Sequence, residues 1–197
     1  MMSTRFLFLA ISALWSFTTL SGQVQVDPAI QAKLEAFISY SNQNQWEEAY
    51  DLVYPKLFAK ISKQEIISAT KEQLTGIELQ RTHTEIISAS APMEEGSETF
   101  VKLEYKADLV FHLEPNGMYD SPKATQALDE NFKATYGKMN VRWDPDQKSF
   151  FIRSREAMMA IHDGDGDWKL VDINPNQPEL MAFLFSPSVM ETLVRIK

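Results

Sequence analysis

Between Phe100 and Leu113 the chain alternates with a period of two. Val101, Leu103, Tyr105, Ala107, Leu109, Phe111 and Leu113 fall on one face; Lys102, Glu104, Lys106, Asp108 and His112 fall on the other. Successive side chains of an extended strand point to opposite sides of a sheet, so the pattern predicts a long strand with one buried and one wet face. A wet face implies an antiparallel sheet, because strands of parallel sheets are covered on both sides and read as continuous apolar runs. The rest of the chain must then supply a layer that covers the buried face.

The first third of the sequence supplies helices. Asp27-Pro28 opens one, with Asp as N-cap and Pro at the first helical position. Ile30, Leu34, Phe37 and Ile38 make its apolar face, and it is expected to end near Tyr40. A second helix starts near Gln45, carries Trp46, Ala49, Tyr50 and Val53, and is limited by Pro55. Ser62 and Glu65 form a capping box for a third, which runs to about Leu74 before Gly76.

After Gly76 the period changes. Ile77 to Ser90 reads as a strand or a broken pair, followed by the long strand. Ser121-Pro122 caps an inserted helix with Ala124, Leu128 and Phe132 inward. Further strands are expected at Lys138 to Trp143, Ser149 to His162 and Trp168 to Ile173. Ser186-Pro187 caps a final helix. Helices followed by an antiparallel sheet define an α+β plan: N-terminal helices packed on a curved, cone-like sheet, with an inserted helix and a C-terminal helix.

The N-terminus has a different character. Arg5 precedes the apolar run Phe6 to Leu20, and the small residues Ser21 and Gly22 follow. This is the layout of a cleavable secretory signal peptide, and the run is short for a membrane span. The expected division is therefore a signal peptide at 1–22 and a single α+β domain at 23–197. The expected location is exported, periplasmic or extracellular, without membrane insertion after cleavage. Residues 23–197 hold 18 basic against 27 acidic side chains, a net charge of −9. That balance disfavours nucleic acid and anionic membranes as partners. The absence of cysteine removes disulfides, thiolate metal sites and a cysteine nucleophile. Hydrophobic residues are 44% of the chain, enough for a substantial core in one domain.

Trp46 and Tyr50, then Tyr54-Pro55 and the capping box at Ser62, resemble the nuclear-transport-factor-2-like (SnoaL-like) superfamily, as does the closing strand Trp168-Lys169-Leu170-Val171. Phe132 to Gly137, Asn140-Val141 and Trp143-Asp144 look like uncharacterised exported proteins of bacteria. The resemblance implies helices closing one side of a conical sheet around a cavity. It also implies members that are isomerases, cyclases, dehydratases or non-enzymatic binding domains, so fold alone does not set function.

Candidates for chemistry are few. Enzymes of that superfamily often pair a cavity Asp with a His for proton transfer. His83, His112 and His162 are the histidines available, and each reads first as a solvent-facing strand residue. No Asp–His pair maps onto the sequence by motif. The run Asp163-Gly164-Asp165-Gly166-Asp167 invites a calcium reading, but an EF-hand loop counted from Asp163 would place Trp168 and Asn174 where Gly and Glu are needed. A hairpin turn accounts for it. Met139, Met158 and Met159 could line an apolar pocket or fill a core. Arg142, Arg153 and Arg155 could bind an anion or pair with local acids. Ser62, Ser121 and Ser186 read as caps, and no nucleophile elbow, P-loop or dinucleotide fingerprint occurs.

The expectation is a non-catalytic exported module that binds a small molecule or a protein, with no cofactor, no metal and no assigned catalytic residue. Two alternatives remain: a proton-transfer enzyme using a cavity Asp/Glu–His pair, and an accessory subunit of an envelope assembly. Self-association as a homodimer is open.

Overall fold

The computed structural model describes residues 26–164, 166–174 and 176–194. The expected signal peptide lies outside the described residues. Among the described residues three helices come first: α1 (Pro28–Asn42), α2 (Trp46–Asp51) and α3 (Lys63–Gln73). A 3-10 turn, Pro55–Ala59, joins the last two. The Asp27 carboxylate accepts from Ala29 N–H at 2.8 Å, and both halves of the Ser62/Glu65 capping box are made. Gly76 takes φ +76, a left-handed turn that a side chain would strain, and the chain leaves α3 there for the sheet.

The sheet has six antiparallel strands: β1 (Ile77–Ala89), β2 (Met93–Glu95), β3 (Glu98–Leu113), β4 (Val141–Asp144), β5 (Ser149–His162) and β6 (Lys169–Asp172). Its main order is β1-β3-β5-β4, with β2 on β3 and β6 on β5. The segment from Ile77 is one strand, not a broken pair, although its register slips between Arg81 and His83 and between Ile86 and Ser88. Such bulges sharpen the local twist and bend a strand, which suits a curved sheet. The fold is thus α+β, with helices covering the inner side of a curved antiparallel sheet.

Residues α4 (Pro122–Tyr136) form the inserted helix. The expected strand from Lys138 starts three residues later. Gly137 takes φ +88 and Asn140 Nδ2 donates to the Tyr136 carbonyl at 2.7 Å, so Lys138–Asn140 closes into a 3-10 turn instead. After β6 come α5 (Pro178–Leu184) and α6 (Pro187–Val189), which passes into a π-helical turn at Met190–Val194. The expected final helix is therefore one short α-turn with a wider continuation.

Two cores form, one on each side of the sheet. On the inner side, Leu103, Tyr105, Leu109, Phe150, Ile152 and Met158 pack under Ile30 and Leu34 of α1, with Leu128 and Phe132 of α4 against them. On the outer side, Phe100, Met159, Ile161 and Val171 pack under Met181, Leu184, Phe185 and Val189 of the C-terminal segment. This second core corrects the expectation of one wholly wet face along β3. Lys102 is buried at 8% exposure, its ammonium 3.2 Å from Glu104. The reason is that Phe100, Met159 and Ile161 are apolar at outward positions, and the C-terminal helical turns shield them.

Candidate functional site

Strand β5 has different neighbours at its two ends. Its first residues pair with β4 as far as Val141↔Ile152, and its last pair with β6 from Met158↔Asp172 onward. Residues 153–156 lie between, with no strand beside them on that edge. The alternation that points Phe150, Ile152 and Met158 into the inner core also points Glu156 inward, at the split. Asp172 enters on β6 opposite Met158, in phase with the buried Leu170.

Arg81 faces the same side from β1. It follows Ile77 and Leu79 in phase, and its backbone is held by a side chain. Asn42 at the end of α1 accepts from Arg81 N–H and donates to Arg81 C=O, both at 2.9 Å. Arg81 stands on an edge strand, so the Asn42 amide takes the backbone groups that another strand would otherwise pair with. The segment after α2 pairs alongside β6: Tyr54 N–H donates to Leu170 C=O and Leu170 N–H to Leu52 C=O, each at 2.9 Å, a parallel bridge at Val53. On α2, the Tyr50 hydroxyl lies 2.8 Å from Thr70 Oγ1 of α3.

Arg81, Tyr105, Glu156 and Asp172 thus make a polar group on the inner face, electrostatically linked to Tyr50 and Tyr136. Tyr105 O–H donates to Glu156 Oε2 at 2.7 Å. Burial, followed by the nearby Asp172 and Glu156 charges, pushes the Tyr105 phenol well above its ordinary range. Tyr136 and Tyr50 are also raised, burial first. Asp172 is pushed up to about 6, first by burial and then by the Glu156 carboxylate, with Arg81 opposing. Yet Asp172 is exposed by area. Its carboxyl loses part of its hydration without being sealed off. Thr84, in phase on β1, adds a buried hydroxyl oxygen with no partner among the described residues.

None of the histidines hydrogen-bonds to this group. His83 is exposed beside the β1 bulge. His112 Nδ1 lies 2.7 Å from Ser149 Oγ, with no carboxylate in its hydrogen bond. His162 Nδ1 accepts from Gly164 N–H at 3.0 Å, and its ring stands 5.2 Å from that of Trp168. Among the described residues, no His–carboxylate hydrogen bond forms. The aspartate-rich loop closes on itself: Gly166 N–H donates to Asp163 Oδ1 at 2.6 Å, and Asp167 pairs with Lys33 at 2.5 Å. No cluster of three or more metal-ligating side chains occurs among the described residues.

The methionines are not brought together. Met158 is in the inner core, Met159 in the outer one, and Met139 is 96% exposed. The arginines divide as well. Arg155 pairs with Glu104 at 2.6 Å, while Arg142 and Arg153 border an outer-face groove of about 500 Å3 that also holds Asp108. Arg142 stacks 4.2 Å over Phe151 and pairs with Asp144 at 3.1 Å. Ser62, Ser121 and Ser186 all cap helices. The exposed large apolar side chains among the described residues are Ile61, Met118 and Met139, in three separate segments. Among the described residues, no helix is long and apolar enough to cross a membrane.

The residues of this polar group were missed at the sequence level, though a signal existed. Glu156 and Asp172 are acids at inward-phased positions of otherwise apolar strand faces, where a charge is costly without a purpose or partner. Comparison of the chain with protein-family models, curated proteins and solved structures finds no match.

Proposed function

We propose that this protein is an exported domain of the nuclear-transport-factor-2-like kind that binds a small polar molecule at the polar group on the inner face of its sheet. The observation that carries this reading is Asp172: an exposed carboxyl on the inner face, opposite Met158 on the strand that carries Glu156. A stabilising core has no use for such a group, whereas a binding site does. The leader-like residues 1–22 support export. Native mass spectrometry of the protein purified gently from its producing cells tests the reading. The expected result is a co-purifying small-molecule mass that is lost in Asp172→Asn. A bare protein mass, together with no ligand from a broad fragment library, overturns it.

A second reading follows from the surroundings of Asp172. Burial, then the Glu156 carboxylate, push its carboxyl up to about 6, close to the range in which a carboxyl exchanges protons at neutral pH. In this reading it serves as a general base without a histidine, taking a proton from a bound carbon or oxygen acid. Incorporation of solvent deuterium into the co-purified ligand, abolished in Asp172→Asn, is the expected signature. A ligand that binds and exchanges no proton leaves the binding reading alone standing.

A further inference from the structure

Where α4 passes the edge strand β4, the chain leaves a cleft of about 610 Å3. Thr125, Asp129 and Lys133 line it from α4, spaced so that they share one face of the helix. Trp143 lines it from β4, and Pro145 and Lys148 from the turn into β5. The Trp143 ring lies 4.5 Å from that of the fully buried Phe150, so the core backs the indole and holds it in place. The charged side chains of the cleft are matched. Lys148 donates to both oxygens of Asp120 at 2.7 and 2.8 Å, and Lys133 donates to Asp129 Oδ2 at 2.5 Å. Asn116 N–H also donates to Asp120 at 2.7 Å, which fixes that wall. One atom is left over: Asp129 Oδ1 is buried with no hydrogen-bond partner among the described residues. A buried acceptor without a donor is costly. The last torsion of an aspartate is soft, so a small turn of the carboxyl presents this oxygen to the cleft.

We infer that this cleft binds a pyranose sugar, stacked on Trp143 with a hydroxyl donating to Asp129, at a site separate from the inner-face polar group. Charge narrows the class first. Two acids face two lysines and each is already paired, so a charged ligand would have to displace an ion pair, whereas a neutral one breaks none. Hydrogen-bonding capacity narrows it next. An ammonium has three donors, and the bonds made here leave some of those on Lys133 and Lys148 free; Asp129 Oδ1 is a free acceptor. A sugar hydroxyl donates and accepts, so a ring of them meets both. A hydrocarbon would meet neither. An open-chain polyol would meet both and leave the indole bare. A pyranose carries a rim of hydroxyls and a face of C–H groups, and the negative face of an aromatic ring attracts those weakly positive hydrogens. Pro122 and Pro145 add rigid apolar walls. The volume is that of a small-molecule pocket and admits a mono- or disaccharide.

The test is NMR titration of the isotope-labelled protein at neutral pH with glucose, galactose, N-acetylglucosamine, maltose and cellobiose, against glycerol, butylamine and butyrate. At least one sugar is expected to shift the Trp143 indole N–H signal saturably, with a Kd below about 10 mM and a larger shift than at Trp46 or Trp168. Glycerol, butylamine and butyrate should leave that signal in place. A disaccharide that binds about tenfold more tightly than its monosaccharide identifies a sugar chain as the ligand, and equal affinities identify a free sugar. The Gln126 side-chain amide, which also lines the cleft, reads binding in the variants. Trp143→Leu should weaken the sugar about tenfold, and Trp143→Phe should restore most of the affinity. Because Trp143 also packs on Phe150, a second variant lies outside the core: Asp129→Ala should weaken the sugar about fivefold in a protein that stays folded. Silence of all the sugars, a Trp143 shift matched by glycerol, or unchanged affinity in Trp143→Leu and Asp129→Ala overturns the inference. So does a sugar lost in Asp172→Asn and kept in Asp129→Ala, which would bind at the inner-face group and leave that reading standing.

Discussion

Asp172 shows at single-residue scale how a site departs from the rules of a core. Its carboxyl titrates near 6 in the fold against 3.8 in a free chain, so the folded state holds the proton more firmly than the unfolded state between those values. Stability from this group is therefore fully present below pH 3.8 and is lost as pH rises toward 6. Removing the charge should reverse the loss. Asp172→Asn is expected to be more stable than the parent near neutrality, with the difference shrinking through that interval and absent below it. Urea denaturation across the pH range checks this, and a difference independent of pH would sink it. Asn42 makes the opposite case, a polar residue whose whole effect is positional. Asn42→Ala leaves Arg81 N–H and C=O without their amide partner. The expected cost is about 1–3 kcal/mol in chemical denaturation, together with weakened ligand binding although Asn42 lies outside the ligand contacts.

Elements show which local signals were enough. The capping box at Ser62 forms as its residues predict, because its hydrogen bonds join groups three residues apart. Ser62→Ala should cost about 1 kcal/mol of stability, measurable as a shift in the denaturation midpoint, while a change within error would show α3 to be held by packing alone. Gly76 is similarly local: at φ +76, Gly76→Ala should destabilise by about 1 kcal/mol. The helix boundaries, the long β3 alternation and the strand Ser149–His162 were legible for this reason. Less legible were β2, three residues long, and the 3-10 turn at Lys138–Asn140. Both depend on partners elsewhere, β2 on the start of β3 and the turn on the left-handed Gly137 and the end of α4. Glu156 and Asp172 were legible only in part. Period-two phasing puts each on the inner face, but nothing local says that two acids on different strands meet.

At the scale of the whole molecule the sheet separates two jobs. Its outer face at one end is closed by the C-terminal turns, and its inner face carries a core and the polar group around Glu156. The outer closure should matter for stability and leave the proposed ligand site intact. Leu184→Ala is expected to cost about 2–5 kcal/mol and leave ligand affinity unchanged, because Leu184 is buried on the opposite side of the sheet. Paired denaturation and calorimetry on this one variant decide the matter: lost affinity in a folded variant would mean that the two faces are coupled.

By itself the sequence determined the α+β plan, the caps and the inward face of β3, together with an acidic composition whose lack of cysteine leaves no thiolate chemistry. These follow from spacing and residue type, whose physics acts over a few neighbours. Only the tertiary structure decided that the outer face is partly covered and that, among the described residues, no histidine hydrogen-bonds a carboxylate. It alone brought Arg81, Tyr105, Glu156 and Asp172 onto one face. Those four belong to strands β1, β3, β5 and β6, up to 91 positions apart in the chain. Their meeting is set by strand order, by the bulges that bend β1 and by the split along β5, and each of these is a property of pairing between distant segments.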